Sequence, residues 1–167
     1  MSQNAPTLHI LCGKIASGKS TLSTKLGRQE GMILIAEDAW LKTLYADDLS
    51  TMSDYVRCAS RLRGAMEPHI VSLLTAGLSV VLDFQANTVE ARAWMRGILN
   101  QTNVSHVLHL MDVPDEVCLD RLRIRNAQGD HPFTVSDEQF RQFSKYFAMP
   151  SAEEGFTVVV HNGVSDT

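Results

Sequence analysis

The sequence lacks several features that would mark other classes of protein. Its 167 residues include three cysteines, Cys12, Cys58 and Cys118, an odd number too scattered for a disulfide framework or a metal cluster. No apolar run approaches the ~20 residues of a membrane span, and the first residues lack the basic and apolar regions of a signal peptide. A net charge of -4 provides no broad positive surface for nucleic acid. We therefore expect a cytoplasmic protein with neither membrane nor nucleic-acid partners.

What the chain does contain is a regular alternation of strand-like and helix-like segments. Five runs are rich in β-branched residues or leucine: Leu8–Cys12, Met32–Ala36, Leu78–Asp83, Val104–Met111 and Phe156–Val160. The intervals between them have mostly helical patterns. This alternation predicts an α/β fold, a parallel five-stranded sheet with helices on both faces. We expect one domain spanning residues 1–167, since a chain of this length needs no second core.

Glycine, proline and serine predict where some helices begin and end. Gly31 is expected to end the first helix, and Pro68 to kink or split the helix at about 54–76. Pro114, followed by two acids, is expected to begin another helix. Ser136 has the spacing of a capping box for the next one.

The most specific motif follows the first apolar run. "GKIASGKST" has the Gly-x-x-x-x-Gly-Lys-Ser spacing of a phosphate-binding loop and lies between a predicted strand and a predicted helix. In such a loop, backbone N–H groups surround phosphate oxygens, the lysine reaches the β- and γ-phosphates and the hydroxyl ligates magnesium. We therefore expect ATP and Mg²⁺ as cofactors, with Ser20 as a metal ligand, and Thr21 either near the α-phosphate or simply in the helix. The predicted binding residues are Gly13, Lys14, Ile15, Ala16, Ser17, Gly18, Lys19, Ser20 and Thr21.

Carboxylates follow the second and third apolar runs. Phosphoryl transfer to an alcohol needs a carboxylate near the acceptor hydroxyl, and ligands of open α/β sheets bind at the carboxyl ends of the strands. Asp38 is our candidate base and Glu37 the second choice, both also substrate-binding candidates. Alternatively, Asp38 only caps a helix that begins at Ala39. Asp83 is a candidate for magnesium or acceptor binding, or else a turn former at the end of a strand.

Arginines are concentrated in two predicted helical regions. Arg121 and Arg125 share a helix face beside the polar loop at 126–134, and we expect them to act catalytically on a lid at about 121–135. Arg57 and Arg61 share a face within a helical insert at about 39–76 and are candidates for substrate binding. Each pair has a plain alternative, a solvated charged helix face.

Motifs of two other nucleotide-binding classes are missing. Asp83 is followed by Phe-Gln-Ala rather than the Asp-x-x-Gly of GTPase switches, and the sequence has no Asn-Lys-x-Asp. It also lacks the paired acids and the length of a motor ATPase. These absences favour a kinase that moves the γ-phosphate of ATP to a hydroxyl of a small molecule, such as an antibiotic, sugar or nucleotide. The alternative is an ATP-binding regulatory protein with slow hydrolysis or none.

The chain also resembles a known group of P-loop kinases. The segments that carry the resemblance are "GKIASGKST", "IAEDAWLKTLY", "GLSVVLDFQANTVEARAW" and "MDVPDEVCLDRLRIRN". The group includes zeta toxins, the 5'-kinase domain of phage polynucleotide kinase, gluconate kinase, chloramphenicol phosphotransferase and bacterial ATP-binding proteins of the AAA family. The resemblance implies a three-layer, nucleoside-kinase-like fold and places Lys19 and Ser20 at ATP and magnesium. It also places Asp38 as the proton acceptor, Arg121 and Arg125 on the lid, and Arg92 among the substrate-binding residues.

One position departs from the named relatives. Leu41 stands where polynucleotide kinases have an arginine and gluconate kinases a histidine. The resemblance therefore leaves the acceptor undetermined.

Overall fold

Five parallel strands form a single sheet in the computed structural model, which describes residues 5–129 and 134–163. The strands are β1 (Thr7–Cys12), β2 (Met32–Ala36), β3 (Ser79–Asp83), β4 (Ser105–Met111) and β5 (Val158–His161). Their order across the sheet is β2-β3-β1-β4-β5. The predicted α/β fold class is confirmed.

In the described part of the chain six α-helices connect the strands and cover both faces of the sheet. They are α1 (Lys19–Gly27), α2 (Glu37–Tyr45), α3 (Met52–Thr75), α4 (Val89–Thr102), α5 (Asp115–Gln128) and α6 (Asp137–Lys145). Buried residues of α3 and α4 form the main core with alternate residues of the strands, among them Ile10 and Leu82. On the other face α1 approaches β2 closely, because a Cβ atom added at Gly27 would lie 3.0 Å from Cβ of Leu34. None of the described helices is both long and apolar enough to cross a membrane.

The strand order determines where a ligand can bind. The chain leaves β1 for β2 on one side of the sheet and, after β3, continues to β4 on the other side of β1. A crevice opens beyond the carboxyl ends of the strands where the connections change direction, here at β1 and β3. The phosphate loop after β1 and the carboxylates after β2 and β3 therefore lie at one edge of the sheet.

Two of the predicted helix signals are confirmed. Pro114 is the N-cap of α5, and Ser136 forms the capping box of α6 with Gln139. Both act through backbone geometry or local hydrogen bonds that involve only neighbouring residues.

At the other two signals the fold lacks the expected helix boundary, while the alternative of a kink at Pro68 stays a prediction. α1 ends at Gly27, and Gly31 instead forms the turn into β2, where its carbonyl accepts the N–H of Ser79 at 3.0 Å. α3 is not split at Pro68, because Met66 and Ile70 on either side are both buried in the main core and hold the helix against the sheet.

Candidate active site

The phosphate loop has the backbone geometry of an anion cradle. Ala16 and Gly18 both adopt the left-handed conformation, with φ of 61° and 102°. Gly13 lies so close to its neighbours that an added Cβ would be 2.6 Å from Oγ of Ser17 and 2.8 Å from Cβ of Met111. Oγ of Ser17 is buried and has no hydrogen-bond partner among the described residues. The loop is therefore shaped by close packing around a polar interior that a phosphate group fits.

Lys19 lies folded onto this loop. Its ammonium group donates to the carbonyl oxygens of Gly13 and, at 3.4 Å, Lys14. Burial lowers the pKa of Lys19, and the negative charges of Asp83 and Asp38 act in the opposite direction. The site thus holds a buried cation that would be further stabilised by contact with an anionic ligand.

Asn87 anchors the start of the loop, a role that the sequence did not predict. Its side-chain oxygen accepts the N–H of Gly13 at 2.9 Å, and its own carbonyl accepts the N–H of Ala148 at 2.8 Å. Asn87 is buried and lies four residues after Asp83. A buried asparagine just beyond a strand that ends beside a phosphate loop is the sequence signal that could have identified it.

The two predicted magnesium ligands lie close together. The hydroxyl of Ser23, one turn into α1, is 3.0 Å from the carbonyl of Ser20 and 3.0 Å from Oδ2 of Asp83. Ser20 itself is exposed at the first turn of the helix. Among the described residues no group of three or more histidine, cysteine or acidic side chains could hold a metal ion. Magnesium bound with nucleotide needs few protein ligands, so Ser20 and Asp83 remain suitable candidates.

Glu37 and Asp38 occupy the first turn of α2, for which Ala36 is the N-cap. The alternative in which Asp38 caps a helix beginning at Ala39 is therefore wrong. Glu37 is only 3% exposed. It accepts hydrogen bonds from Nε of Arg63 at 3.2 Å and from the hydroxyl of Tyr55 at 3.4 Å.

Asp38 has a different electrostatic environment, in which its charge acts on cations of the phosphate loop and of α5. Burial lowers the pKa of both Lys19 and Arg125, and in both cases the charge of Asp38 opposes that shift. Burial also raises the pKa of Tyr55, and the charges of Glu37 and Asp38 raise it further. The charge of Asp38 therefore acts on Lys19 of the phosphate loop, on Arg125 of α5 and on Tyr55 of α3.

Arg121 and Arg125 share one face of α5, as their spacing predicted, and Arg123 lies on another. Nη1 of Arg121 is 3.8 Å from the position of a Cβ added at Gly18, and its Nη2 donates to the carbonyl of Gly163 at 3.1 Å. Nε of Arg125 is buried without a hydrogen-bond partner among the described residues. Arg123 is exposed and pairs with Asp137 at 2.6 Å. Of the predicted lid at 121–135, residues 130–133 lie outside the described part of the chain.

The predicted acceptor-side arginines of α3 lie on its exposed surface. Arg57 pairs with Asp54 at 3.0 Å, one turn earlier in α3. Arg61 is exposed four residues later, on the same face of the helix. Leu41, which stands at the position of the relatives' arginine or histidine, is buried in the main core. The structure therefore gives no support to these two arginines as acceptor ligands.

Arg92 does not reach the site either. Its side chain is 0% exposed and forms an ion pair with Glu154 at 2.7 Å. Its Nη1 donates to the carbonyls of Ala86 at 2.9 Å and Ala148 at 2.8 Å. The expectation that Arg92 binds substrate is therefore wrong, because protein groups already occupy its guanidinium group. Arg92 instead has a structural role: it ties the C-terminal segment, residues 148–154, to α4.

A cleft of about 470 Å³ opens beside Glu37, between α3 and the loop after β3. Its polar and aromatic lining consists of Glu37, Tyr55, Ser60, Arg63, Glu67, Gln85 and Trp94. Of these residues, Glu37 alone was among the predicted site residues. Arg63 could have been identified from its position in α3. It directly follows Leu62 and lies three residues before Met66, so it borders the buried stripe of the helix. Arg57 and Arg61 lie on the exposed side.

Comparisons with known proteins agree with this architecture. A family model described as an AAA domain matches residues 8–150. No curated protein matches the chain.

Solved structures similar to this chain include proteins from Chloroflexus aurantiacus, Janibacter sp. and Chaetomium thermophilum. A candidate kinase from Chloroflexus aurantiacus has a TM-score of 0.73 at 20% identity, with 95% of this chain and 89% of that chain covered. An unliganded sugar kinase from Janibacter sp. has a TM-score of 0.64 at 14% identity, with 96% and 87% covered. Kti12 from Chaetomium thermophilum, in complex with ADP-AlF3, has a TM-score of 0.69 at 12% identity, with 95% and 90% covered. At these identities the likeness establishes the fold.

Proposed function

The chain belongs to the AAA domain family, and from that membership and its site geometry we propose that it is an ATP- and magnesium-dependent phosphotransferase. It moves the γ-phosphoryl group of ATP to a hydroxyl of a small molecule. The observation that carries the proposal is the start of α2, where Asp38 follows Glu37 of the cleft wall at the carboxyl end of β2, the edge of the sheet that also carries Asp83 and the phosphate loop. The charge of Asp38 also acts on Lys19, Arg125 and Tyr55. A carboxylate at this edge is suitably located to receive the proton of an acceptor hydroxyl.

The residues on the nucleotide side have distinct roles in this proposal. Backbone N–H groups of the phosphate loop bind phosphate oxygens, and Lys19 moves from the loop carbonyls to the β- and γ-phosphates. Ser20 and Asp83 hold the magnesium ion, directly or through water. The ion, when bound, neutralises charge on the phosphate oxygens. Arg125 has a buried nitrogen without a partner among the described residues, and a phosphoryl oxygen would satisfy it.

The acceptor binds in the cleft lined by Glu37, Tyr55 and Arg63. The acceptor oxygen attacks the γ-phosphorus, the bond from that phosphorus to the bridging oxygen breaks, and ADP leaves with the electron pair. The hydroxyl proton passes to Asp38. Glu37 is held by Arg63 and Tyr55 and shapes the wall of the cleft rather than taking the proton.

Two further observations support the proposal. The fold is shared with a protein described as a sugar kinase and with one solved in complex with ADP-AlF3. The three cysteines are all buried and unpaired, which suits the reducing cytoplasm in which we propose that the protein acts.

Product analysis with ATP labelled at the γ-phosphate tests the proposal. The purified protein is incubated with magnesium and pools of sugars, amino sugars, nucleosides and antibiotics, and labelled products are separated from inorganic phosphate. We expect the label to move to at least one acceptor. Label recovered only as inorganic phosphate, or left entirely on ATP, across the whole panel would instead support a nucleotide-binding regulatory protein.

A further inference from the structure

The cleft beside Glu37 has a charge balance that restricts its ligand. Its lining contains two acidic residues, Glu37 and Glu67, and a single cation, Arg63. Arg57 and Arg61, which the sequence made candidates for binding an anionic acceptor, are not among the lining residues. The formal charge of the lining is therefore negative.

The one cation of the cleft is already engaged by protein groups. Nε of Arg63 donates to Oε2 of Glu37 at 3.2 Å, and its Nη2 donates to the carbonyl of Gln85 at 3.1 Å. The guanidinium plane lies over the ring of Trp94, 5.3 Å from its centroid. Arg63 thus neutralises Glu37 and stacks against the wall of the cleft, so little of its charge remains to attract a phosphate or carboxylate group.

Glu67 lies on the same wall without a charged partner. Among the described residues no cation pairs with it, and its one recorded hydrogen bond is a long one, 3.4 Å from the amide of Gln101. Glu67 is part-buried one turn after Arg63 on α3, so the two side chains share a face. The carboxylate of Glu67 is therefore the charge in the lining that no described cation neutralises.

We propose that the ligand of this cleft carries an amino group: it is an amino sugar, an aminocyclitol or a related amino alcohol whose ammonium group binds Glu67. This inference rests on the proposed function, in which the same ligand presents its hydroxyl to Asp38. A cleft of about 470 Å³ is in the size range of small-molecule sites and accommodates a molecule of one or two sugar rings. Val56 and Ala59 supply apolar surface in the lining for the carbon atoms of a ring.

Binding to matched ligands tests the charge requirement separately from catalysis. Isothermal titration without nucleotide compares glucose, glucosamine and glucose 6-phosphate, and then inositol with 2-deoxystreptamine. We expect the amine-bearing member of each set to bind about tenfold more tightly or better than its neutral counterpart, as a hydrogen bond between charged groups allows. We expect glucose 6-phosphate to bind most weakly of the glucose set.

Substitutions of Glu67 assign that preference to one carboxylate. Glu67→Gln is expected to abolish the advantage of the amine-bearing ligands and to leave the affinity for neutral ones unchanged. Glu67→Lys is expected to reverse the order in favour of glucose 6-phosphate. Glu90→Gln, at an exposed carboxylate in the first turn of α4, is the matched control and should change nothing. Circular dichroism confirms that each variant is folded.

Several results would overturn the inference. These are tightest binding by the phosphate-bearing ligand, an amine preference that survives Glu67→Gln, or no binding by any amine-bearing ligand at millimolar concentration. Failure of the proposed function looks different: amine-bearing ligands would bind in a Glu67-dependent way, yet receive no label from ATP. Conversely, transfer confined to neutral or anionic acceptors would retain the kinase and overturn the inference.

Discussion

Glu37 and Asp38 are consecutive residues at the start of α2, and each carboxylate has its own partners. Glu37 is buried and hydrogen-bonded to Arg63 and Tyr55. Burial raises the pKa of Glu37, and the charge of Arg63 opposes that rise. Consecutive helical residues point about 100° apart, so the side chains of Glu37 and Asp38 point in different directions. Of these two carboxylates, Asp38 is the one whose charge acts on Lys19 and Arg125.

This difference predicts the effect of replacing Glu37. Glu37→Gln removes the charge that compensates Arg63, and we expect a loss of about 1–3 kcal/mol in the free energy of unfolding. We expect kcat for phosphoryl transfer to change little. Urea denaturation and steady-state kinetics check the two expectations, with Glu30→Gln at an exposed position as the control. An unaltered stability with kcat reduced by orders of magnitude would make Glu37 the base.

The sequence identified those site residues whose chemistry depends on local spacing. The phosphate loop and the α5 arginines are of this kind, because one loop or helix sets their relative positions. It missed Asn87, Arg63 and Glu67, whose roles depend on contacts between distant segments. It assigned Arg92 to substrate binding, although nothing within its helix could show that Glu154 lies 2.7 Å away.

At the scale of elements, α5 carries arginines in two different surroundings. Arg121 lies beside Gly18 of the phosphate loop and Nε of Arg125 is buried, whereas Arg123 is exposed and paired with Asp120 and Asp137. Arginine near a transferring phosphoryl group contributes most when charge spreads over its oxygens in the transition state. Loss of either inward arginine should therefore affect the chemical step more than ATP binding.

Substitutions along α5 test this division. We expect Arg125→Ala and Arg121→Ala each to lower kcat by about 10²-fold or more, with a smaller change in KM for ATP. Arg125→Lys should recover part of that loss, since it keeps the charge without the planar fork. Arg123→Ala is the matched control and should be nearly silent. Equal, small, salt-sensitive effects at all three positions would show that α5 is only a charged surface helix.

The strands carry a second element-scale feature, a ladder of three histidines across β1, β4 and β5. Nδ1 of His9 is 2.9 Å from Nε2 of His109, and Nδ1 of His109 is 3.0 Å from Nε2 of His161. His109 is only 7% exposed. Burial lowers its pKa to about 4, and the charges of His9 and His161 contribute. Burial and the two neighbouring imidazoles therefore favour the neutral form of His109.

This ladder predicts that acid destabilises the fold. An unfolded histidine takes up a proton near its usual pKa of about 6.5, whereas folded His109 does so only near 4. Stability is therefore fully present above pH ~6.5 and is lost as the pH falls towards 4. We expect the melting temperature of His109→Gln to depend less on pH in this window. His69→Gln, at an exposed site, is the control; equal slopes for the wild type and His109→Gln would contradict the expectation.

The sequence predicted the strands well because each is a short buried run of apolar residues. β2 has the predicted boundaries, and the ends of the other four differ by one or two residues. Gly31 and Pro68 misled the assignment for a common reason. Both have strong local preferences, but tertiary contacts override them. α3 continues through Pro68 because Met66 and Ile70 are held in the main core, and α1 ends at Gly27, which lies close against Leu34 of β2.

At the scale of the whole molecule, Arg92 ties the C-terminal segment to the body of the protein. Its guanidinium group joins Glu154 and the carbonyl of Ala148 to α4 and to the loop after β3. Ala148 in turn donates to Asn87, which holds Gly13 of the phosphate loop. The C-terminal segment thus helps to hold the phosphate loop in place through Asn87.

Removal of this ion pair should therefore destabilise the protein globally. We expect Arg92→Ala to lower the free energy of unfolding by about 3–5 kcal/mol, because it leaves Glu154 and two carbonyls without their partner. The double variant Arg92→Met with Glu154→Leu should recover part of that loss. Urea denaturation measures both, with exposed Arg28→Ala as the control. Unchanged stability with an increased KM for the acceptor would return Arg92 to substrate binding.

The most direct test of the whole account follows the phosphate during turnover, once an acceptor has been found. ³¹P NMR distinguishes a phosphomonoester from inorganic phosphate as ATP is consumed. With wild-type protein we predict growth of the phosphomonoester signal together with ADP. In Asp38→Asn, which keeps the shape of the side chain but cannot take a proton, we predict a rate lower by about 10²–10⁴-fold. Inorganic phosphate as the sole product of the wild type, or equal rates in the two proteins, would contradict the account.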